Sequence, residues 1–184
     1  MTVSNTAEMT EEQLVDGCKN AGPVAQKELY DRFARRMFGV CLRYAASREE
    51  AEDLLQESFL TVFEKIGSYK GSGSLEGWIR KVVVNTALQH FRKQKLVWVE
   101  TESVPDIAAP EEVSLETREI LRMIQDLPAG FRTVFNLYAI EGYTHAEIGS
   151  MLGVSENTSK SQYSRARAQL MNKVQRLNGA EAGK

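Results

Sequence analysis

Cysteine and proline are scarce in this chain, at two and four of 184 residues, which leaves little room for a stapled or a disordered protein. Cys18 and Cys41 stand alone with no CxxC spacing, so they read as two reduced thiols in helices. His90 and His145 are single and far apart, which gives a His/Cys metal site no support and implies no metal or other cofactor. No apolar run approaches the ~20 residues a membrane span needs. Met1 to Asp16 carries four acids and no base, unlike a secretory signal, and the expected location is cytoplasmic. A glycine-rich phosphate loop of the usual spacing and a nucleophile–base pair are also missing. The expectation is therefore neither an enzyme nor a binder of a small-molecule substrate.

What is present is charge, sorted along the chain. Hydrophobic residues make up 42% and charged ones 26%, and the net charge is only −2. From Arg80 to Lys95 there are five bases and no acid; from Glu156 to Arg176 there are five bases against one acid. Ser47 to Glu64 runs the other way, with six acids against Arg48 alone. Two basic stretches and one sharply acidic one suit a protein that meets DNA at two places and another protein at a third.

Nearly every segment has helical periodicity. Thr10 with Gln13 can form a capping box opening a helix to about Lys19, and Pro23 suits the first position of the next. Phe33, Met37, Val40, Cys41 and Tyr44 define that helix's apolar face. Ser47 with Glu50 is a second capping box, before a helix with Ala51, Leu54, Leu55, Phe59, Val62, Phe63 and Ile66 on one side and an end at Gly67. Ser68–Ser74 is a Gly/Ser loop. The helix after it turns Leu75, Trp78, Ile79, Val82 and Val83 inward and loses its period near Lys95.

Leu96 to Ser114 has no clear period, two prolines, and five acids without a base, and reads as a flexible linker, most clearly from Glu100 onward. Four more helices are expected beyond it. One stops at Pro128; the next carries Phe131, Val134, Phe135 and Tyr138 and ends at Gly142. Thr144 with Glu147 caps a short helix that closes at Gly153, and Ser155 caps a last one reaching at least Arg176. The fold class is all-α, with two small helical domains: 1–95, the linker 96–114, and 115–184.

The clearest constellation is Tyr143 to Leu170. A short capped helix, a Gly153-Val154 turn and a second capped helix make a helix-turn-helix, with Ile148 and Leu152 facing Val154 and the core. The second helix offers Asn157, Lys160, Ser161, Ser164, Arg165 and Arg167, residue types that reach base edges and phosphates in a major groove. Two packed helices with a solvated basic face is the plainer reading of this segment alone.

The run TVFNLYAIEGYTHAEIGSMLGVSENTSKSQYSRARAQL resembles the promoter-binding carboxy-terminal region of extracytoplasmic-function sigma factors of the sigma-70 family. AQKELYDRFARRMFGVCLRYAASREEAEDLLQESFLTVFEKI is similar to that family's polymerase-binding helices, and GWIRKVVVNTALQHFRKQK to its helix for the downstream promoter element. The likeness spans about Gln26 to Arg176. It implies a subunit that joins core RNA polymerase, recognises promoter DNA, and is held inactive by an anti-sigma factor, membrane-bound in some arrangements. The free protein is expected to be a monomer.

By the resemblance, Asp53, Leu54, Leu55, Gln56 and Glu57 form the contact with the polymerase clamp, the two leucines as apolar anchors. Lys70, Ser72 and Ser74 belong to the loop that takes an unstacked nucleotide; Gly71 and Gly73 permit close approach. Asn85 falls where the family reads a base of the minus-ten element, while Arg80, Lys81, Arg92 and Lys93 hold phosphates. Trp78 is more simply core. Lys160, Ser161, Ser164 and Arg165 align with the minus-thirty-five contacts. Many members have Gly-Thr-Val followed by Arg or Lys where this chain has Asn157-Thr158-Ser159-Lys160, which leaves the preferred upstream sequence open.

Three other classes compete. A stand-alone helix-turn-helix regulator explains the second half but leaves 1–95 without a role. An enzyme has no constellation to support it. An interaction adaptor leaves two basic helices unexplained.

Overall fold

The computed structural model describes residues 9–93 and 115–181, with side chains over 9–90 and 118–177; the expected linker lies outside the described residues. Among the described residues eight α-helices follow in order: α1 (Glu11–Lys19), α2 (Pro23–Tyr44), α3 (Arg48–Lys65), α4 (Leu75–Lys93), α5 (Leu115–Gln125), α6 (Ala129–Phe135), α7 (His145–Leu152) and α8 (Glu156–Glu181). No strand occurs among the described residues.

The helix starts follow local chemistry. Thr10 and Gln13 close a reciprocal capping box on α1, and Thr144 and Glu147 do the same on α7. The Ser47 hydroxyl accepts from the Glu50 amide, but the Glu50 carboxylate bonds the amide of Ala46, so this third box is displaced by one residue. α3 ends at Lys65, two residues before Gly67, and the chain leaves it through one 3₁₀ turn (Ile66–Ser68). α6 is shorter than its apolar pattern, because Asn136–Ile140 widens into a π-helical turn before Gly142 turns the chain at φ 79°.

Packing sorts the chain into two compact units that do not follow chain order. Of the described residues, one takes in those up to Cys41 together with Glu52–Thr86; the other joins Leu42–Ala51 to those from Ala87 onward. In the first, Leu14, Cys18, Leu29, Phe33, Met37, Phe59, Val62, Ile66, Leu75, Ile79 and Val83 form the core. Gly17 lets α1 lie close on α2, since a Cβ there would stand 2.5 Å from that of Ala25. In the second unit Leu42, Tyr44, Ala51, Leu88, Ile124, Leu127, Val134, Leu137, Ile148 and Ala166 are buried.

That second core also carries polar ties to the last turn of α2, whose carbonyls have no partner within the helix. Gln125 Nε2 donates to the Leu42 carbonyl at 2.9 Å, and Asn136 Nδ2 to the Arg43 carbonyl at 2.7 Å. The Arg43 guanidinium meets the buried Glu141 carboxylate at 2.9 Å. Arg132 donates to the Gln125 carbonyl, and burial holds its pKa below the usual arginine value.

Candidate nucleic-acid interface

The helix-turn-helix is built from α7 and α8. Gly153 takes the left-handed conformation at φ 71° that ends α7, and the Val154 amide donates back to the Gly149 carbonyl at 3.0 Å. The turn passes so near α7 that a Cβ at Gly149 would stand 2.8 Å from the Val154 carbonyl oxygen. Ser155 starts α8 by accepting from the Thr158 amide. Ile148 is fully buried as expected, whereas Leu152 and Val154 are half-exposed at the turn.

α8 presents Asn157, Lys160, Ser161, Ser164, Arg165 and Arg167 to solvent, while Ser159, Gln162 and Ala166 face inward. Two of the outward groups are already engaged. Lys160 Nζ lies 2.6 Å from the Glu156 carboxylate, which its ammonium holds below the usual glutamate range. The Ser161 hydroxyl donates to the Thr158 carbonyl at 2.9 Å. The arc is thus basic and polar, with its nearest lysine tethered by an acid.

On α4, Lys81, Asn85 and Gln89 are exposed at successive turns, and Arg80 is half-exposed. Arg92 and Lys93 lie in its last turn, beyond the described side chains. The loop before it exposes Lys70, Ser72 and Ser74, but the Ser74 hydroxyl accepts from the Gly77 amide and so caps α4. Gly71 and Gly73 take φ of 73° and 87°, conformations that favour glycine. Tyr69 closes the loop by donating to the Gly73 carbonyl at 2.8 Å. Trp78 is partly buried, its ring 5.7 Å from that of Tyr69, so loop and helix share an aromatic pair.

On α3, Asp53 and Gln56 are exposed and Glu57 is half-exposed. Leu54 and Leu55, expected as apolar anchors, are 1% and 7% exposed. Both turn into the packed side of the helix and offer little surface of their own in this structure. The exposed apolar residue of the acidic stripe is Leu60, at 65%, four residues after Gln56. Its helical angle relative to Asp53 and Gln56 is the sequence signal that would have found it. The Tyr69–Trp78 pair was legible only as an aromatic in a glycine loop.

Comparison with known proteins agrees with this layout. The family model for Sigma-70 region 2 matches residues 29–97, and that for Sigma-70, region 4 matches 117–170. The chain is 32% identical over 152 residues to an ECF RNA polymerase sigma factor SigE of Mycolicibacterium smegmatis, covering 78% of this chain but 59% of that protein. It is 26% identical over 186 residues to an ECF RNA polymerase sigma-E factor of Haemophilus influenzae, covering 92% and 98%. Among solved structures, the sigma factor RpoE of Bartonella quintana, crystallised with the anti-sigma factor NepR, shares the fold at TM-score 0.53 and 23% identity over 81% of this chain and 96% of that one.

Matches to region 2 and then region 4, in that order along one helical chain that carries a helix-turn-helix, define a sigma-70-type transcription initiation factor. The chain belongs to the extracytoplasmic-function group of the sigma-70 family.

Proposed function

We propose that this chain joins core RNA polymerase through the exposed acidic stripe of α3 and directs initiation at promoters whose minus-ten and minus-thirty-five elements it reads. Residues 1–95 serve as the polymerase-binding and minus-ten domain, 96–114 as the linker, and 115–184 as the minus-thirty-five domain. The carrying observation is the sorting of solvent-facing side chains: acids with one exposed leucine on α3, bases with an amide on α4, and bases with small polar groups on α8.

On α3, Asp53, Gln56, Glu57 and Leu60 make the contact, while Leu54 and Leu55 hold the helix on its core. On α4, Arg80, Lys81, Arg92 and Lys93 grip phosphates, Asn85 meets a base, and the Lys70–Ser72 loop receives an unstacked nucleotide. α8 docks in the upstream major groove through Asn157, Lys160, Ser161, Ser164, Arg165 and Arg167. No covalent chemistry is involved; contact energy offsets the cost of unpairing bases. The protein works as a monomer in the cytoplasm, where the polymerase is, and an anti-sigma factor restrains it, as the Bartonella relative's co-crystal partner suggests.

The test is co-elution with core polymerase and run-off transcription. Asp53→Lys and Glu57→Lys are expected to weaken association while changing fold stability by no more than about 0.5 kcal/mol, since both positions reach solvent. Full binding by both reversals would remove α3 from the interface.

A further inference from the structure

Inside the helix-turn-helix there is a partly buried polar contact that the DNA-facing residues do not explain. Ser159 is 0% exposed, yet it carries a hydroxyl where a small apolar side chain would pack without a partner. Its Oγ lies 2.9 Å from Nδ1 of His145, the first residue of α7. The imidazole is itself held: the Tyr138 ring stacks on it at 4.2 Å and 7°, and Tyr163 closes from α8 at 5.8 Å. Tyr163 also packs on Tyr138 and on Phe135.

We infer that His145 and Ser159 form a positioning pair that sets the rotation of α8 against α7. On the proposed reading of α8 as the upstream DNA helix, the pair thereby sets the register in which Asn157, Lys160, Ser161 and Ser164 meet base edges. An apolar contact tolerates sliding and small rotations, because dispersion is nearly non-directional. A hydrogen bond with one end on a stacked ring and the other on a buried serine has a single good geometry. Ser159 immediately precedes Lys160 but points inward where Lys160 points to solvent. A rotation at Ser159 therefore moves every outward residue of the first two turns together.

The experiment is a double-mutant cycle of His145→Phe, which keeps the stacked ring, and Ser159→Ala, which removes only the hydroxyl. His145→Asn, which can still reach with an amide, is the conservative variant. Two quantities are read on the full chain. One is the width of the distance distribution between spin labels at Ser150→Cys and Gln169→Cys. The other, with core polymerase, is the ratio of affinities for a matched upstream duplex and one with a single base changed.

Each single variant is expected to broaden the distribution and to lower the ratio roughly three- to tenfold, the range one net hydrogen bond supplies. Affinity for random duplex should change less than twofold. The double variant should be no worse than the poorer single, and His145→Asn should recover part of the ratio. An unchanged distance distribution in both singles, or additive losses in the double, would overturn the pairing. A broadened distribution with no effect on any duplex would keep the pair but refute α8 as the DNA reader. Lys160→Ala and Arg165→Ala would then also leave duplex binding intact.

Discussion

At the residue scale, Lys160, proposed as a DNA contact, is already paired with an acid. Its ammonium is 2.6 Å from Glu156, and both side chains are about half exposed, so the pair adds little to stability. A phosphate competes for the same ammonium and must displace the carboxylate. Glu156→Gln is therefore expected to tighten upstream duplex binding several-fold at low salt. The advantage should shrink as ionic strength rises, as read by fluorescence anisotropy across a salt series. Asn85 is the complementary case, an exposed amide one turn from Lys81. Asn85→Ala should leave initial docking intact and cost about 1–3 kcal/mol of discrimination at one minus-ten base. Permanganate reactivity on duplex and pre-melted promoters would measure this; equal base sensitivity of variant and parent would make Asn85 a structural residue of α4.

At the element scale, three glycines separate geometry from flexibility. Gly39, inside α2, has nothing within 4 Å of a would-be Cβ, so Gly39→Ala should raise stability by about 0.4–1 kcal/mol. Gly149→Ala must push the Val154 backbone carbonyl from 2.8 Å and should cost about 1–3 kcal/mol. Gly153→Ala, with φ 71°, should lose about 1–2 kcal/mol through strain alone. Thermal unfolding of the three variants would rank them, and a stabilising Gly149→Ala would contradict the tight turn.

The capping box on α7 adds a pH dependence. The Thr144 amide and hydroxyl hold the Glu147 carboxyl below its ordinary 4.5. With the folded pKa depressed, the stabilising contribution is complete above that ordinary value and disappears as pH falls through the lower folded one. Glu147→Gln should therefore lower the melting temperature relative to parent at pH 6, and the gap should narrow as the pH falls below 4.5.

At the scale of the whole molecule, the second packing unit holds the end of α2 by polar ties from Gln125 and Asn136. These ties should weigh heavily in the stability of that unit, as read by unfolding in denaturant followed by far-ultraviolet circular dichroism. Asn136 is fully buried, and Asn136→Ala removes the donor to the Arg43 carbonyl, for an expected loss of about 1–3 kcal/mol. A loss near zero would mean that water replaces the amide there.

Local signals and periodicity were enough for the element list, because caps and apolar stripes act within one or two turns. Thr10, Pro23, Thr144, Gly153 and Ser155 stand where the helices begin and end, and Phe33, Met37, Val40, Cys41 and Tyr44 form a single buried face. The outward arc of α8 followed from the same spacing. The rest depends on which surfaces meet. Spacing puts Leu54 and Leu55 on the apolar side of α3, but how far that side is covered depends on the helices packed against it; the structure buries both and leaves Leu60 as the exposed apolar group. Likewise, Gln125, Asn136 and Glu141 look like surface polar residues until α2 ends beside them. His145 and Ser159, fourteen residues apart, acquire a shared role only when the Gly153 turn brings α8 back against α7. A buried polar side chain is defined by its partner, and partners distant in sequence are supplied by tertiary packing alone.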